Sequence, residues 1–288
     1  TRVLHVLDHS LPLHSGYTFR TRAILTAQVA AGHEVRGITG LRHLGEGPDP
    51  ETVDGLTFYR TPGTASGPAG LREWREINLL ADAIERAAGD WRPDVLHAHS
   101  PALCGKAALI AGKRLGIPVV YEIRAFWEDA AVSNGTGTEG NLKYRLTRAL
   151  ESHVVAGADA VVTICRGLKD DLVQRGTDPA RITISPNGVD LSLFGEEAPR
   201  ETALADELAL GDGPVVGFIG SFYDYEGLDD LIAAMPALVA RVPDARLLLV
   251  GGGPCAEALQ AQAEASPAAG AIRFVGRVPH HEVERYYA

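Results

Sequence analysis

The chain has 288 residues, 45% hydrophobic and 22% charged, the ordinary composition of a globular protein long enough for two domains. Its 27 basic and 37 acidic residues give a net charge of −10, which argues against a nucleic-acid binder, since that function needs a basic face. There is no run of 18 apolar residues, and Cys104, Cys165 and Cys255 form no CxxC pair, so a spanning helix, a disulfide framework and a structural zinc site are not expected. In chain order, Val3–His9 reads as a buried strand, followed by a helix from about Tyr17 to Ala31 that Gly32 closes. A second strand lies at 33–40, and a third at Leu56–Pro62 after a Gly/Pro-rich loop. Leu71–Ala88 is helical, with Leu71, Ile77, Leu80, Ile84 and Ala88 near one face. A strand at Asp94–Ser100 and a helix at Ala102–Leu115 follow. Then come the strand IPVVYEI, a loop and a helix ending near Val155, the strand ADAVVTIC, a helix, and the strand ITISP.

The pattern restarts after an acidic, irregular stretch from Gly195 to Gly213. PVVGFIGS reads as a strand, Leu228–Val242 as a helix with an irregularity at Pro236, and ARLLLVGGGP as a strand with a glycine turn. A helix at Glu257–Ala265, the strand IRFVGRV and the start of a helix at HHEVERYYA complete the chain. Strands alternating with helices predict an α/β fold with parallel pairing and right-handed crossovers. Two domains are expected, residues 1–182 and 183–288, the second with too few strands for a full doubly wound sheet.

Ligands of open parallel sheets bind outside the carboxyl ends of the strands. There the first strand runs into LDHSLPLHSGYTFRTR, with Gly16 just before a helix start. Gly16 reads either as a plain turn glycine or as one that lets a phosphate reach helix N–H groups. Asp8, His9 and His14 share that loop, and Arg20 and Arg22 follow in the helix. His97 and His99 alternate along one strand and face one side. With no third ligand evident, a metal is not expected; a buried, hydrogen-bonded His97 and a cleft-lining His99 is the preferred division. Arg124 leaves a strand end among Glu122, Glu128 and Asp129, so it either pairs with one of them or faces an anion. The turns at Gly220–Ser221 and Gly251–Pro254 each carry little alone, but two of them in a second α/β unit, with Gly16 at the first turn of the first, suggest a ligand clamped between two domains.

These segments, taken together, resemble a family. ITISPNGVDLSLF is similar to the interdomain signature of family 4 glycosyltransferases, and VVGFIGSFYDYEGLDDLIAAMPALVARVPDARLLLVGGGP to the start of their donor domain. The opening VLHVLDHSLPLHSGYTFRTRAILTAQVAAGHEV and YEIRAFWED resemble the subgroup found with exosortase/PEP-CTERM exopolysaccharide systems. The resemblance implies the GT-B architecture, two Rossmann-like doubly wound parallel-sheet domains, here with the second truncated. It also implies retaining transfer of a sugar from a nucleotide diphosphate sugar, bound mainly by the second domain, to a carbohydrate or lipid-linked acceptor on the first. No cofactor and no metal are implied.

By resemblance, Gly16 approaches the donor diphosphate, and Arg124, with His99 beside it, stands near the transferred sugar. Gly220 opens a loop whose two usual basic residues are Ser221 and Glu226 here, so the diphosphate cation must come from elsewhere, with Arg20, Arg124 and the missing glutamate-rich segment as the three candidates. Gly252 and Gly253 match the second glycine turn, and Gly276, Arg277 and Val278 the segment that meets the nucleobase. Asn187 and Asp190 fit an interdomain turn. Expectations that accompany this reading are a cytoplasmic protein with a processed start at Thr1 and no signal peptide. The others are contact with a membrane surface, self-association through the second domain, and a fragment inactive by itself because a glutamate-rich segment is missing. An NAD-type oxidoreductase, a nucleotide-sugar 2-epimerase and a non-catalytic binding module are the alternatives. The first loop lacks the dinucleotide glycine fingerprint, and the NGVD and YEG segments disfavour the epimerase.

Overall fold

A computed structural model describes residues 1–13, 15–43, 49–89, 91–133, 135–189, 191 and 199–288. His14 and Asp190 therefore lie outside the described residues, and the side chains of His280 and His281 are not described. The chain divides into two compact units, Thr1–Asn187 and Gly188–Ala288.

The first unit holds strands β1 (Arg2–Leu7), β2 (Glu34–Thr39), β3 (Glu51–Val53), β4 (Leu56–Arg60), β5 (Val95–His99), β6 (Val119–Ile123), β7 (Ala160–Thr163) and β8 (Ile182–Ile184). They form one sheet in the order β3-β4-β2-β1-β5-β6-β7-β8. Every pair is parallel except β3–β4, an antiparallel hairpin. Its turn is Asp54-Gly55, both at positive φ (53° and 75°), the backbone that a two-residue hairpin favours. Three residues are too few to show an alternation, so the sequence alone does not reveal β3. The domain boundary also shifts. β8 pairs with β7, so a boundary at 182/183 would cut a strand of the first sheet.

The helices are α1 (Gly16–Ala30), α2 (Leu71–Ala88), α3 (Ala102–Leu115), α4 (Trp127–Ser133), α5 (Leu142–Gly157) and α6 (Arg166–Gln174). Ser15 caps α1 by accepting the Thr18 N–H, Asn141 caps α5 through Tyr144 N–H, and Gly116 ends α3 in the left-handed region (φ 68°). The pleat sends Leu4, Val6, Leu96, Ala98, Tyr121 and Ile123 into one core with Ile77, Leu80 and Ile84 of α2, Ala107 of α3 and Val154 of α5. Leu7 and Phe58 pack on the other face with Leu25 of α1. Strands covered on both faces explain the near-continuous apolar runs.

Among the described residues, the second unit has three parallel strands, β9 (Val215–Ser221), β10 (Arg246–Gly252) and β11 (Ile272–Gly276), in the order β11-β10-β9. Its helices are α7 (Thr202–Glu207), α8 (Leu228–Arg241, which contains Pro236) and α9 (Ala256–Ala265). Central β10 is buried on both faces. Leu247 and Leu249 meet Phe222, Ile232, Met235 and Leu259, while Leu248 and Val250 meet Ala205 and Leu210. The stretch read as irregular thus contains α7, whose Leu204 and Ala205 are buried. The final segment, read as the start of an α-helix, is a 3₁₀ helix at His280–Tyr286.

Candidate functional site

In the first unit, β1 sits where the strand order reverses, with β2 on one side and β5 on the other. Its carboxyl end is the switch point at which such sheets take ligands. His9 stands there with Nδ1 3.0 Å from Asp8 Oδ2 and Nε2 2.8 Å from Ser15 Oγ. The same Ser15 oxygen accepts the Thr18 N–H at 3.1 Å. Gly16, the first residue of α1, is exposed, and a Cβ there would meet nothing within 4 Å.

Beside it, under α1, lies a buried polar chain. Arg124 donates from Nη2 to His99 Nδ1 (2.6 Å), His99 Nε2 is 2.9 Å from His5 Nδ1, and His5 Nε2 is 2.8 Å from Gln28 Oε1. A guanidinium only donates, so His99 Nδ1 must accept. His99 then donates through Nε2 to His5, and His5 donates through Nε2 to Gln28. Both rings are neutral in this arrangement. Burial agrees, pushing the His5 ring well below its ordinary range and His99 down to about 3.

Glu122 anchors the other end. Its Oε1 accepts from Arg124 Nε (2.9 Å) and Arg20 Nε (3.0 Å), and Oε2 lies 3.2 Å from His97 Nε2. Burial alone would raise this carboxyl; the His97 imidazole and the Arg124 guanidinium beside it outweigh burial and hold Glu122 well below the usual carboxylate range. Arg124 also donates to Tyr17 O (2.8 Å) and Thr21 Oγ1 (3.0 Å) and lies over the Tyr17 ring. Arg20 donates to Ser185 O (2.7 Å), Pro186 O (3.0 Å) and Asn187 Oδ1 (3.1 Å), tying α1 to the segment after β8. Of the readings open for Arg124, pairing with Glu122 is the geometry found; Glu128 pairs with Arg175 instead.

His99, expected to line a cleft, does not. His99 is fully buried, and His97 keeps 12% of its side chain exposed. Strand β1 covers His99 and supplies its partner His5, a contact between residues 94 apart in the chain that no local pattern shows. The imidazoles of His5, His97 and His99 approach each other, their ligand atoms within 4.8 Å. Metal–nitrogen bonds of about 2.0–2.1 Å need closer nitrogens, and both nitrogens of His5 and His99 are already engaged, so the cluster is a hydrogen-bonded network.

In the second unit, β9 and β10 end side by side, Gly220 opposite Gly251 and Ser221 opposite Gly252. The glycines answer first to backbone crowding. A Cβ on Gly251 (φ 141°) would lie 1.8 Å from Gly220 O, and one on Gly253 2.6 Å from Phe222 O. Phe222 N–H donates to Gly252 O, and Cys255 N–H to Phe222 O, both at 3.1 Å. Arg277 crosses this turn, its Nε 3.3 Å from where a Gly252 Cβ would be. Glu226 is exposed in the 3₁₀ turn Asp224–Glu226 ahead of α8, and Ser221 is exposed too. Val278 packs partly buried against the Leu248 and Val250 side of the sheet.

The Glycosyl transferase 4-like domain family matches residues 15–188, and the Glycosyl transferases group 1 family matches residues 213–288. The chain belongs to the glycosyl transferase 4-like family. It is 33% identical over 216 residues to the D-inositol 3-phosphate glycosyltransferase of Segniliparus rotundus, a match covering 71% of this chain and 46% of that relative. The chain thus spans about half the length of that curated relative. Among solved structures it is similar to the sucrose-phosphate synthase of Thermosynechococcus elongatus (TM-score 0.74, 18% identity, covering 100% of this chain and 73% of that one). Another is Anabaena HepE in complex with UDP-glucose (TM-score 0.66, 16% identity, covering 99% and 71%). The fold is that of GT-B glycosyltransferases, an α/β architecture of Rossmann-like sheets. A UDP-GlcNAc 2-epimerase from Methanocaldococcus jannaschii shares it (TM-score 0.59, 13% identity, covering 99% and 76%), so the fold alone does not choose the chemistry. Among the described residues, no helix is long and apolar enough to cross a membrane.

Proposed function

We propose that this chain forms the acceptor side and part of the donor side of a retaining glycosyltransferase. The enzyme would move a sugar from a nucleotide diphosphate sugar to a carbohydrate or lipid-linked acceptor in exopolysaccharide synthesis of the exosortase/PEP-CTERM type. The observation that carries this reading is the pair of glycosyltransferase families matching the two units in order, over 15–188 and 213–288. The opening and YEIRAFWED segments favour the subgroup.

In this reading the leaving diphosphate gathers charge in the transition state, and donors fixed in advance around it do most of the work. Arg277, at the glycine turn beside Gly252 and Gly253, is the cation that the second unit offers in place of the usual basic pair. Ser221 and Glu226 supply no positive charge; Glu226 serves as a ligand of a ribose hydroxyl. Gly220 and the Gly276–Val278 segment border the nucleotide. In the first unit, Gly16 leaves room for the donor at the start of α1. Arg124 and His99 act as positioning residues. Arg124 fixes Tyr17 and the first turns of α1 through its bonds to Tyr17 O and Thr21, and His99 holds the guanidinium in place by accepting from it.

The test is a panel of nucleotide diphosphate sugars, assayed for released nucleoside diphosphate and for the anomeric configuration of the product. It should use a longer chain carrying this sequence alongside the 288-residue chain. Expected are a retained anomeric configuration from the longer chain and donor binding without turnover from the shorter one. Inversion at C2 of a free nucleotide sugar would favour the epimerase, and binding without either product in both chains a binding module.

A further inference from the structure

We propose that Glu151 is a proton-operated latch for α4: uncharged, it lets α4 dock on the first unit, and charged, it loosens that helix. α4 is seven residues long and begins three residues after Arg124. Trp127, Asp129 and Ser133 are exposed, Ala130, Ala131 and Val132 are half-buried, and the side chain that α4 buries fully is Glu128. So short a helix is marginal by itself and depends on its packing, which normally means an apolar face. This one is anchored by a carboxylate. Glu128 Oε1 accepts from Nη1 of Arg175 (2.9 Å), at the end of α6, and the Arg175 guanidinium lies 3.9 Å from the centre of the Phe126 ring, just ahead of α4.

Glu151, fully buried on α5, faces this contact, since α5 packs against α4. Among the described residues, both Glu151 carboxyl oxygens, Glu128 Oε2, the Tyr121 hydroxyl and Arg175 Nη2 are buried without a hydrogen-bond partner. With Glu151 neutral, Glu128 and Arg175 balance each other, and Asp171, the other acid on Arg175, is partly exposed. With Glu151 ionised, a second buried negative charge stands against Glu128 without a cation of its own. Burial raises the Glu151 carboxyl to about 7; Glu128 adds to the rise, and Tyr121 and Arg175 oppose it. The other groups facing the cluster keep their protons. Burial, and then Glu151, pushes the Tyr121 hydroxyl of β6 well above its ordinary range, and burial does the same to Tyr17 of α1 and to the Cys104 thiol of α3, which both face Tyr121. On the outer side of α5, His153 lies 2.7 Å from Lys106 of α3, away from the buried cluster. Loss of the Glu151 proton repels Glu128 and draws the unpartnered Arg175 Nη2 toward the new carboxylate. The strain falls on α4, because α5 remains fixed through Val154 and Val155 in the core.

The experiment is amide hydrogen exchange of the 288-residue chain at pH 5 and pH 8, read in α4 and, as a reference, in α2, and corrected for the intrinsic effect of pH on exchange. Docked α4 keeps the Glu151 proton up to about pH 7, and a freed Glu151 keeps it only to about 4.5, so release grows as pH rises between those values. Expected is a loss of protection in α4 of at least about tenfold from pH 5 to pH 8, with α2 changing much less. Glu151→Gln, which keeps the shape and cannot ionise, should leave α4 equally protected at both pH values. A loss of the same size in α2 would mean unfolding of the whole unit and would overturn the latch. So would α4 protection indifferent to pH in the unaltered chain, or a Glu151→Gln chain that keeps the pH-dependent loss. The unaltered chain decides the first two of these outcomes by itself, even where the variant folds poorly. Because no turnover is read, the result is independent of the glycosyltransferase assignment.

Discussion

Glu122 is the residue on which most of the first unit's buried charge converges. Arg20, Arg124 and His97 all point at one carboxylate whose side chain is 2% exposed. Removing its charge leaves two nearly buried guanidinium groups without their acid, so Glu122→Gln should lower stability by about 3–5 kcal/mol in urea unfolding. The carboxyl is held below its ordinary range, so its contribution is full above about pH 4.5 and declines as pH falls below that. Glu151 has the opposite sign. Burial raises it to about 7; Glu128 adds to the rise, and Tyr121 and Arg175 oppose it. The folded form keeps its proton longer than the unfolded chain, so Glu151 lowers stability as pH climbs from about 4.5 to 7, by roughly 3 kcal/mol in all. Glu151→Gln should therefore melt higher than the unaltered chain at pH 8 and close to it at pH 5. At the proposed donor site, Arg277→Ala should weaken nucleotide diphosphate binding about tenfold or more by calorimetry, since a charged hydrogen bond contributes about 1.5–3 kcal/mol. Glu226→Gln should leave the phosphate contribution intact, which nucleoside diphosphate and free nucleoside titrations separate.

At the scale of elements, the glycines divide into two kinds. Gly251 and Gly253 lie where the end of β10 runs too close to the backbone of Gly220 and Phe222 for any side chain. Gly251→Ala puts a methyl into a carbonyl at a backbone angle few L-residues adopt, and should unfold the second unit at a lower temperature by several degrees, a cost of order 1–3 kcal/mol for the strain alone. Gly16 faces open space at the first turn of α1, so Gly16→Ala should leave the melt unchanged or raised by up to about 1 kcal/mol. Its effect, if the donor approaches there, belongs in donor affinity. The two substitutions thus separate a glycine needed for folding from one available to a ligand.

At the scale of the whole chain, each unit has its own core, and the split follows β8. Residues 1–187 should fold alone, with all eight strands of the first sheet present, and the Glu151→Gln shift should persist in that piece. A chain cut at 182 loses β8 and exposes the edge of β7, so it should aggregate where 1–187 does not.

Much of the architecture was legible in the sequence because it is local. The helices at Leu71–Ala88 and Ala102–Leu115 coincide with the expected spans, since apolar spacing and the glycine after each stop are properties of a few consecutive residues. The alternation of strand and helix was enough for an α/β fold with parallel sheets, and the loop motifs for the family. The hairpin at Glu51–Val53 and helix α7 escaped, being too short to show a period. What only the tertiary structure decided is which side chains meet. Parallel pairing of β1 with β5 sets His5 opposite His97 and brings it to His99, and the return of β11 beside β10 carries Arg277 across Gly252. Strand order and register create those encounters, and they join residues far apart in the chain, where no local periodicity reaches.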